Sequence, residues 1–561
     1  MNAAILAAIG LTGIVLGYRF YSKFIGEKIY QLDPDFVTPA HAQRDDIDYL
    51  PTNRVVLWGH HFTAVAGAAP IIGPGIAVIW GWLPAFLWVI FGTMFFAGVH
   101  DFGAVWASVR NKAKSVGSLT GDVVSPRART LFMVVVFFLL MMVNAVFGVA
   151  ISDAFQTTPS SVIPAWTAVV VAVAIGILIY RMHVPILWPT IIGTVILYAV
   201  IYLGEAVPIS LTAGVLGLPV GAQWILILFL YAGIASLLPV WLLLQPRDYI
   251  NGIQLFVGLG LLYGAVLIAN PTIVAPAINA NLPASTPPIF PLLFVTIACG
   301  AISGFHGLVG SGTTSKQLDK ETDARFVGYL GSAGEGALAL VAIIAATAGF
   351  SSIDEWREIY SAFGNGGMGA FVQGGSRIVA NGVGISTEFA ATLLTVMAVL
   401  FAGTTMDAGV RLQRYIVQEW GAIYGIPVLQ NGYVATGTAV TACLLLAFGA
   451  GGPNGAGGML IWPLFGTTNQ LLAGLTLMVI SVMLVKLGRP VRYTLIPMIF
   501  ITTMALAASL FQLLSLYREG GIFYPLLWID VAVVIIAILV MLEASSAFIR
   551  ERRAVVTGAS T

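Results

Sequence analysis

Residues 59–82 read GHHFTAVAGAAPIIGPGIAVIWGW, and their reading decides the fold. They lie in an apolar run, about 55–81, long enough to cross a bilayer, which takes about 20 residues. The middle of the run, Gly67 to Gly75, is built largely from glycine and proline, the weakest helix formers. A backbone group left unpaired in lipid costs several kcal/mol, so irregular chain at that depth belongs where protein encloses it or a cavity opens. The pattern predicts a membrane helix broken at 67–75, with His60 and His61 at its cytoplasmic start.

The rest of the chain agrees with a membrane setting. Of 561 residues, 58% are hydrophobic and 9% charged, against about 25% charge in a soluble domain. A net charge of +1 implies no nucleic-acid partner. Cys299 and Cys443 sit in apolar runs and read as small core residues rather than a disulfide or metal pair. The N-terminal run reads as a retained span, not a cleaved signal.

Fifteen stretches qualify as spans: 3–18, 55–81, 83–108, 130–153, 162–180, 184–203, 222–245, 251–269, 288–308, 326–349, 385–406, 432–449, 457–485, 493–516 and 522–549. Of the 26 Lys and Arg, 23 follow odd-numbered spans and 3 follow even-numbered ones. Positive charge gathers on the cytoplasmic side, so the N-terminus is expected outside and the C-terminus inside. The long outer loop, 350–384, reads as an ordered lid, a partly re-entrant segment or a plain surface loop.

A second interruption is expected near Gly233 and Pro239, five spans after the first and in the opposite direction. Paired broken helices mark inverted-repeat transporters. The expected fold is therefore an all-α polytopic membrane protein with about 15 transmembrane helices and a five-plus-five inverted repeat. Its parts are an extra span and loop at 1–54, repeats at 55–204 and 222–406, and four added spans at 432–549.

Ionisable residues inside a bilayer are costly and usually functional. His60, His61, His100, Asp101, His306 and Glu335 are the candidates for ion coupling or gating. Glu388 and Asp407 mark the ends of the eleventh span, and Asp530 lies in the fifteenth. Adjacent histidines on a helix point about 100° apart, so they make a poor metal pair. No zinc-type spacing is present, and neither a metal nor a cofactor is expected. The stretch 310–316, GSGTTSK, lacks the phosphate-loop spacing. Its Ser311, Thr313 and Thr314 offer hydroxyls to a substrate or cation, or cap the next segment. A half-helix starting near Pro74 and Gly75 would turn its N-terminus to the midplane, where free N–H groups attract anions. Gly73 and Gly75 would let a carboxylate approach the backbone. Tyr231, Trp241 and Gln245 would shape the rest of that site.

Six stretches carry a family resemblance: PTNRVVLWGHHFTAVAGAAPIIGP, HDFGAVWASVR, QPRDYIN, ISGFHGLVGSGTTSKQ, TTMDAGVRLQRY and WPLFGTTNQLLAG. In this order, over about 50–475, the chain resembles the carbon starvation protein A family of bacterial inner-membrane transporters. It departs at Ala69, Ser315, Gly336 and Val410, where that pattern more often has Gly, Pro, Ser and Thr. The resemblance implies the fold of the amino acid–polyamine–organocation transporters and uptake of peptides, or in some members pyruvate, under nutrient limitation. The reading is thus a secondary transporter in the bacterial inner membrane, not an enzyme. It would import short peptides or small carboxylates, driven by protons rather than sodium. Its oligomeric state stays open. The rival readings are a membrane-embedded nutrient sensor and a metal-dependent membrane enzyme.

Overall fold

The computed structural model describes residues 1–45, 48–185, 187–212, 217–239, 241–452, 458–520 and 525–557. Among the described residues the regular structure is helical and no strand forms. This follows from the solvent: in lipid, a helix satisfies its own backbone groups without a partner.

The principal elements, in chain order, are α1 (Ala3–Ile29), α2 (Arg54–Val65), α3 (Ala69–Ala77), α4 (Trp82–Arg110), α5 (Pro126–Thr157), α6 (Pro159–Tyr180), α7 (Leu187–Gly204), α8 (Val220–Leu237) and α9 (Leu244–Ala269). They continue with α10 (Ile289–Thr296), α11 (Gly304–Gly312), α12 (Arg325–Ala348), α13 (Ile353–Ile359), α14 (Gly367–Val383) and α15 (Thr387–Ile423). Last come α16 (Gly432–Gly451), α17 (Gly458–Lys486), α18 (Arg492–Gly520) and α19 (Pro525–Thr557). Thirteen of these helices are long and apolar enough to cross a membrane, and α2 with the chain to Trp80 is a pair bent by 51°, which together has the length and composition of one further broken span or a re-entrant loop.

The first interruption is shorter than the sequence suggests. Helix α2 ends at Val65 and α3 starts at Ala69, so the non-helical part is 66–68. Pro70 sits in the first turn of α3, where its missing N–H costs nothing. Pro74 is held inside the helix rather than ending it.

The second interruption lies elsewhere than expected. Helix α8 runs unbroken through Gly233 to Leu237, and Pro239 stands in the connection to α9. Here proline closes one helix before the next, because it disfavours helical backbone at the residue before it. The ninth expected span, 288–308, is the broken one. It is split into α10 and α11 by non-helical chain at 297–303. Gly300 sits there at φ +90°, in the left-handed region, and a Cβ on it would stand 2.6 Å from the Ala339 methyl. Both facts call for glycine.

The two interrupted segments pack reciprocally. The α2–α3 segment lies against α12, the helix after the second break, and α11 lies against α4, the helix after the first. Helix α9 runs beside α2 and α17 beside α11, while α5 packs along α15 and α8 along α16. The long helices α5, α15 and α17 are buried over most of their length and carry polar side chains such as Asn144, Gln413, Asn469 and Gln470. Outer helices such as α7 instead expose Val195, Tyr202 and Leu203, as lipid contact demands. The loop 350–384 is ordered: α14 packs on α3, α12 and α15, and the Tyr360 hydroxyl donates to the Gly75 carbonyl at 2.6 Å.

Candidate functional site

The reciprocal packing sets four titratable side chains side by side. Asp101, on α4, accepts from His100 Nδ1 at 2.7 Å through one oxygen and from His306 Nδ1 at 2.8 Å through the other. His306, on α11, places its Nε2 3.2 Å from Glu335 on α12. All four are fully or almost fully buried. An unpaired charge at such depth would cost several kcal/mol, so the group persists because each charge faces an opposite one. The Nε2–Glu335 approach is an ion-pair distance without hydrogen-bond geometry, and a ring that faces a carboxylate at each nitrogen is best matched as the imidazolium. The chain Glu335–His306–Asp101–His100 can therefore hold a proton and exchange it between carboxyl and imidazole groups.

His61 closes on this cluster from α2. Its Nδ1 lies 2.9 Å from the Thr314 hydroxyl, and among the described residues its Nε2 has no hydrogen-bond partner. Glycines give the rings their space: a Cβ on Gly331 would stand 2.5 Å from His61 Cδ2, and one on Gly307 would stand 3.2 Å from His100 Cε1. Five of the six residues singled out for coupling thus share one place. His60 stands apart, its ring 6.4 Å from that of Tyr249.

The residues singled out for substrate do not converge. Gly73 and Gly75 lie within α3, four and six residues past its first residue Ala69, and not at its N-terminus. A Cβ on Gly73 would stand 2.5 Å from the Thr296 carbonyl oxygen, and one on Gly75 would stand 2.6 Å from that of Gly367. The close approach they permit in this structure is to protein backbone. Ser311 and Thr313 donate back to the Gly307 and Val309 carbonyls, and Ser311 also accepts the Val116 N–H at 3.0 Å. Gln245 accepts from the Tyr180 hydroxyl at 2.8 Å, and Trp241 lies under the Arg181 guanidinium. Both are at the edge of the bundle.

Tyr231 leads to a second polar group. Its hydroxyl donates to Asp407 at 2.8 Å and accepts from Arg247 at 2.6 Å, and Arg247 forms an ion pair with Asp407. Arg247 and Arg411 belong among the 23 basic residues that signal cytoplasmic loops, yet both are buried within helices α9 and α15. Arg411 donates to the Ala235 and Leu238 carbonyls at the end of α8. Composition alone hid them, since each stands next to the polar end of a span. A second signal was available in QPRDYIN and TTMDAGVR, each of which carries one arginine and one aspartate.

Next to the first break, Gly67 lies against α15, where its Cβ would stand 2.6 Å from the Thr405 hydroxyl oxygen. Beside the second break, Asn469 accepts the Phe305 N–H at 3.0 Å and donates to the Ser303 hydroxyl at 3.1 Å. Cys299 and Cys443 are free and buried. Among the described residues, no group of three or more His, Cys, Asp or Glu is arranged to hold a metal ion.

The model of the family described as carbon starvation protein CstA matches residues 2–508. The peptide transporter CstA of Campylobacter jejuni is 32% identical, with 93% of this chain and 82% of that protein covered. The peptide transporter CstA of Bacillus subtilis is 31% identical, with coverage of 88% and 87%. The pyruvate/proton symporter BtsT of Escherichia coli is 31% identical, with coverage of 89% and 80%. Among solved structures, a manganese transporter of Eremococcus coleocola is similar at 13% identity and a TM-score of 0.49, over 91% of this chain and 99% of that one.

Proposed function

This chain belongs to the carbon starvation protein CstA family and is a multi-pass membrane transporter, and we propose that it imports a small carboxylate-bearing nutrient, a short peptide or pyruvate, together with protons. The observation that carries the proton reading is the buried Glu335–His306–Asp101–His100 chain, which joins the second interrupted segment to the helices that follow both breaks. Relatives named for peptide transport and for pyruvate/proton symport support the substrate class.

Reciprocal packing supports a five-plus-five repeat with revised limits. One unit comprises α2–α3, α4, α5, α8 and α9; the other comprises α10–α11, α12, α15, α16 and α17. The hairpin α6–α7 is then an insertion in the first unit, and α1, α18 and α19 are additions. These limits replace 55–204 and 222–406. With the α10–α11 segment counted as a crossing, the total is fifteen, an odd number that sets the termini on opposite sides, and the Lys/Arg distribution favours an outer N-terminus and a cytoplasmic C-terminus in a bacterial inner membrane. Substrate would bind at the level of the two breaks, where irregular backbone and polar side chains meet.

The test is uptake by the full chain in proteoliposomes of labelled pyruvate and of alanyl-alanine, with and without an inward proton gradient. Accumulation of either that collapses with a protonophore is the expected result. Accumulation of neither, or accumulation driven equally by sodium at constant pH, would overturn the proposal.

A further inference from the structure

We infer that His61 is the proton link between the buried cluster and the cytoplasm, and this rests on the transport and topology readings above. Three helices fix its place. A Cβ on Gly310 would stand 3.7 Å from His61 Cε1 and 3.1 Å from Val105 Cγ2, and one on Gly331 would stand 3.0 Å from His61 Nε2. Gly310 follows His306 by four residues on α11, Val105 follows Asp101 by four on α4, and Gly331 precedes Glu335 by four on α12. Four residues make about one helical turn, a rise of about 5.4 Å. With α4 and α11 running inward and α12 outward, all three offsets point the same way. The His61 ring therefore lies one turn to the cytoplasmic side of the whole cluster. Adjacent residues on a helix point about 100° apart, and His60 accordingly turns away, to Tyr249 on α9.

The two ring nitrogens of this buried histidine differ. Nδ1 lies 2.9 Å from the Thr314 hydroxyl, while among the described residues Nε2 has no hydrogen-bond partner. Donation from Nδ1 to Thr314 leaves Nε2 with a lone pair, a base beside a cluster that holds protons. A charged His306 one turn away repels a second positive ring, so a proton that reaches Nε2 is handed on and not stored. In each passage one N–H bond forms at Nε2 as the cluster gives up its proton, and one proton leaves the ring for cytoplasmic water. No other bond changes.

Thr314 opens the way outward. It stands on the short turn Thr314–Lys316, and Lys316 pairs at 3.6 Å with Asp48, a mostly exposed side chain. At the foot of α2 a second pair, Arg54 with Asp323, stands 3.9 Å apart. These pairs bound the lower side of the ring; His100, Asp101, His306 and Glu335 bound the upper. The joint for the step is already built, because α2 ends at the non-helical residues 66–68. Alternating access moves such broken segments against the rest of the bundle, which carries Nε2 to the cluster and away again.

The test uses the full chain in proteoliposomes with pyruvate or alanyl-alanine, whichever the wild type accumulates. His61→Asn keeps a polar partner for Thr314 and titrates nothing. Its initial rate of proton-driven uptake should fall by about tenfold or more, as expected for loss of a positioned acid–base group. Exchange of labelled for unlabelled substrate should keep the wild-type rate. The plateau of accumulation should also be that of the wild type, since the cluster and not the link sets how many protons travel. Proton-driven uptake at the wild-type rate overturns the inference. So does an equal fall of exchange and uptake, which marks a packing role, and so does a lost plateau, which would make His61 the coupling group itself. Gly331→Ala changes no titratable group and displaces the ring. It should slow proton-driven uptake and spare exchange in the same way, and it decides the matter if His61→Asn fails to insert. A wild type without proton-driven uptake refutes the transport reading instead; a coupled wild type with unaffected variants refutes this link alone.

Discussion

Glu335→Gln and Asp101→Asn are similar on paper and should behave differently. Asp101 receives two hydrogen bonds from imidazole groups, at 2.7 and 2.8 Å. Hydrogen bonds to charged groups contribute roughly 1.5–3 kcal/mol each, against about 1 kcal/mol for neutral ones. An asparagine keeps one acceptor and turns an NH2 group toward the other donor, so one bond is lost and the other weakened. The expected cost is about 3 kcal/mol, near the lower limit for breaking a buried ion pair. Glu335 faces His306 Nε2 at 3.2 Å as an ion pair and not as a hydrogen bond. Glutamine there keeps the shape and the acceptor, at a cost of about 1 kcal/mol. Thermal unfolding of the two variants in detergent should therefore show a clear drop for Asp101→Asn and a small one for Glu335→Gln. In proteoliposomes, Glu335→Gln should retain exchange of labelled for unlabelled substrate and lose accumulation against a gradient, because it cannot take or release a proton. Normal accumulation by Glu335→Gln would refute the role given to this carboxyl. Equal destabilisation by both variants would refute the reading of their contacts.

The remaining expectations are more local. Gly300→Ala must place a side chain at φ +90° and 2.6 Å from Ala339, so it should lower stability by about 2–4 kcal/mol from backbone strain and overpacking. Gly59→Ala, in a helix with nothing within 4 Å of the new methyl, should be neutral or stabilising by up to about 1 kcal/mol; thermal midpoints of the pair measure both. At the start of α13, the Ser351 hydroxyl and N–H, with Arg377, hold the Glu355 carboxyl down at about 2. A lowered carboxyl pKa contributes stability that is present above the unfolded value, about 4.3, and is lost as pH falls toward 2. Protection factors for hydrogen exchange across α13 should therefore fall between about pH 4 and 2, and Glu355→Gln should remove that dependence. Cysteines introduced at Ser210 and Ala280 should label from outside, and those at Ser115 and Lys320 from the cytoplasm; labelling of the first two only from the cytoplasm would reverse the topology.

How much of this was legible in the chain depends on which physical term fixed each feature. Spans were legible because lipid imposes a length and a composition on every crossing, so α5, α12 and α19 could be read from hydropathy alone. The buried cluster was legible for the same reason: His100, Asp101, His306 and Glu335 are rare residue types at that depth, although no spacing in the sequence reveals that three separate helices bring them together. Breaks were harder. Glycine and proline near 67–75 and near 233–239 look alike in sequence, yet Pro74 is absorbed into α3, Pro239 merely ends a connection, and the second interruption turns on Gly300. What decides is the neighbour: Ala339 and Thr296 press on backbone that only tertiary packing puts there. Arg247 was hidden by a different ambiguity. A basic residue at the cytoplasmic end of a span satisfies the charge-distribution rule whether it faces water or a buried acid. Its role emerges only when α15 brings Asp407 against it, with α8 adding the Tyr231 hydroxyl.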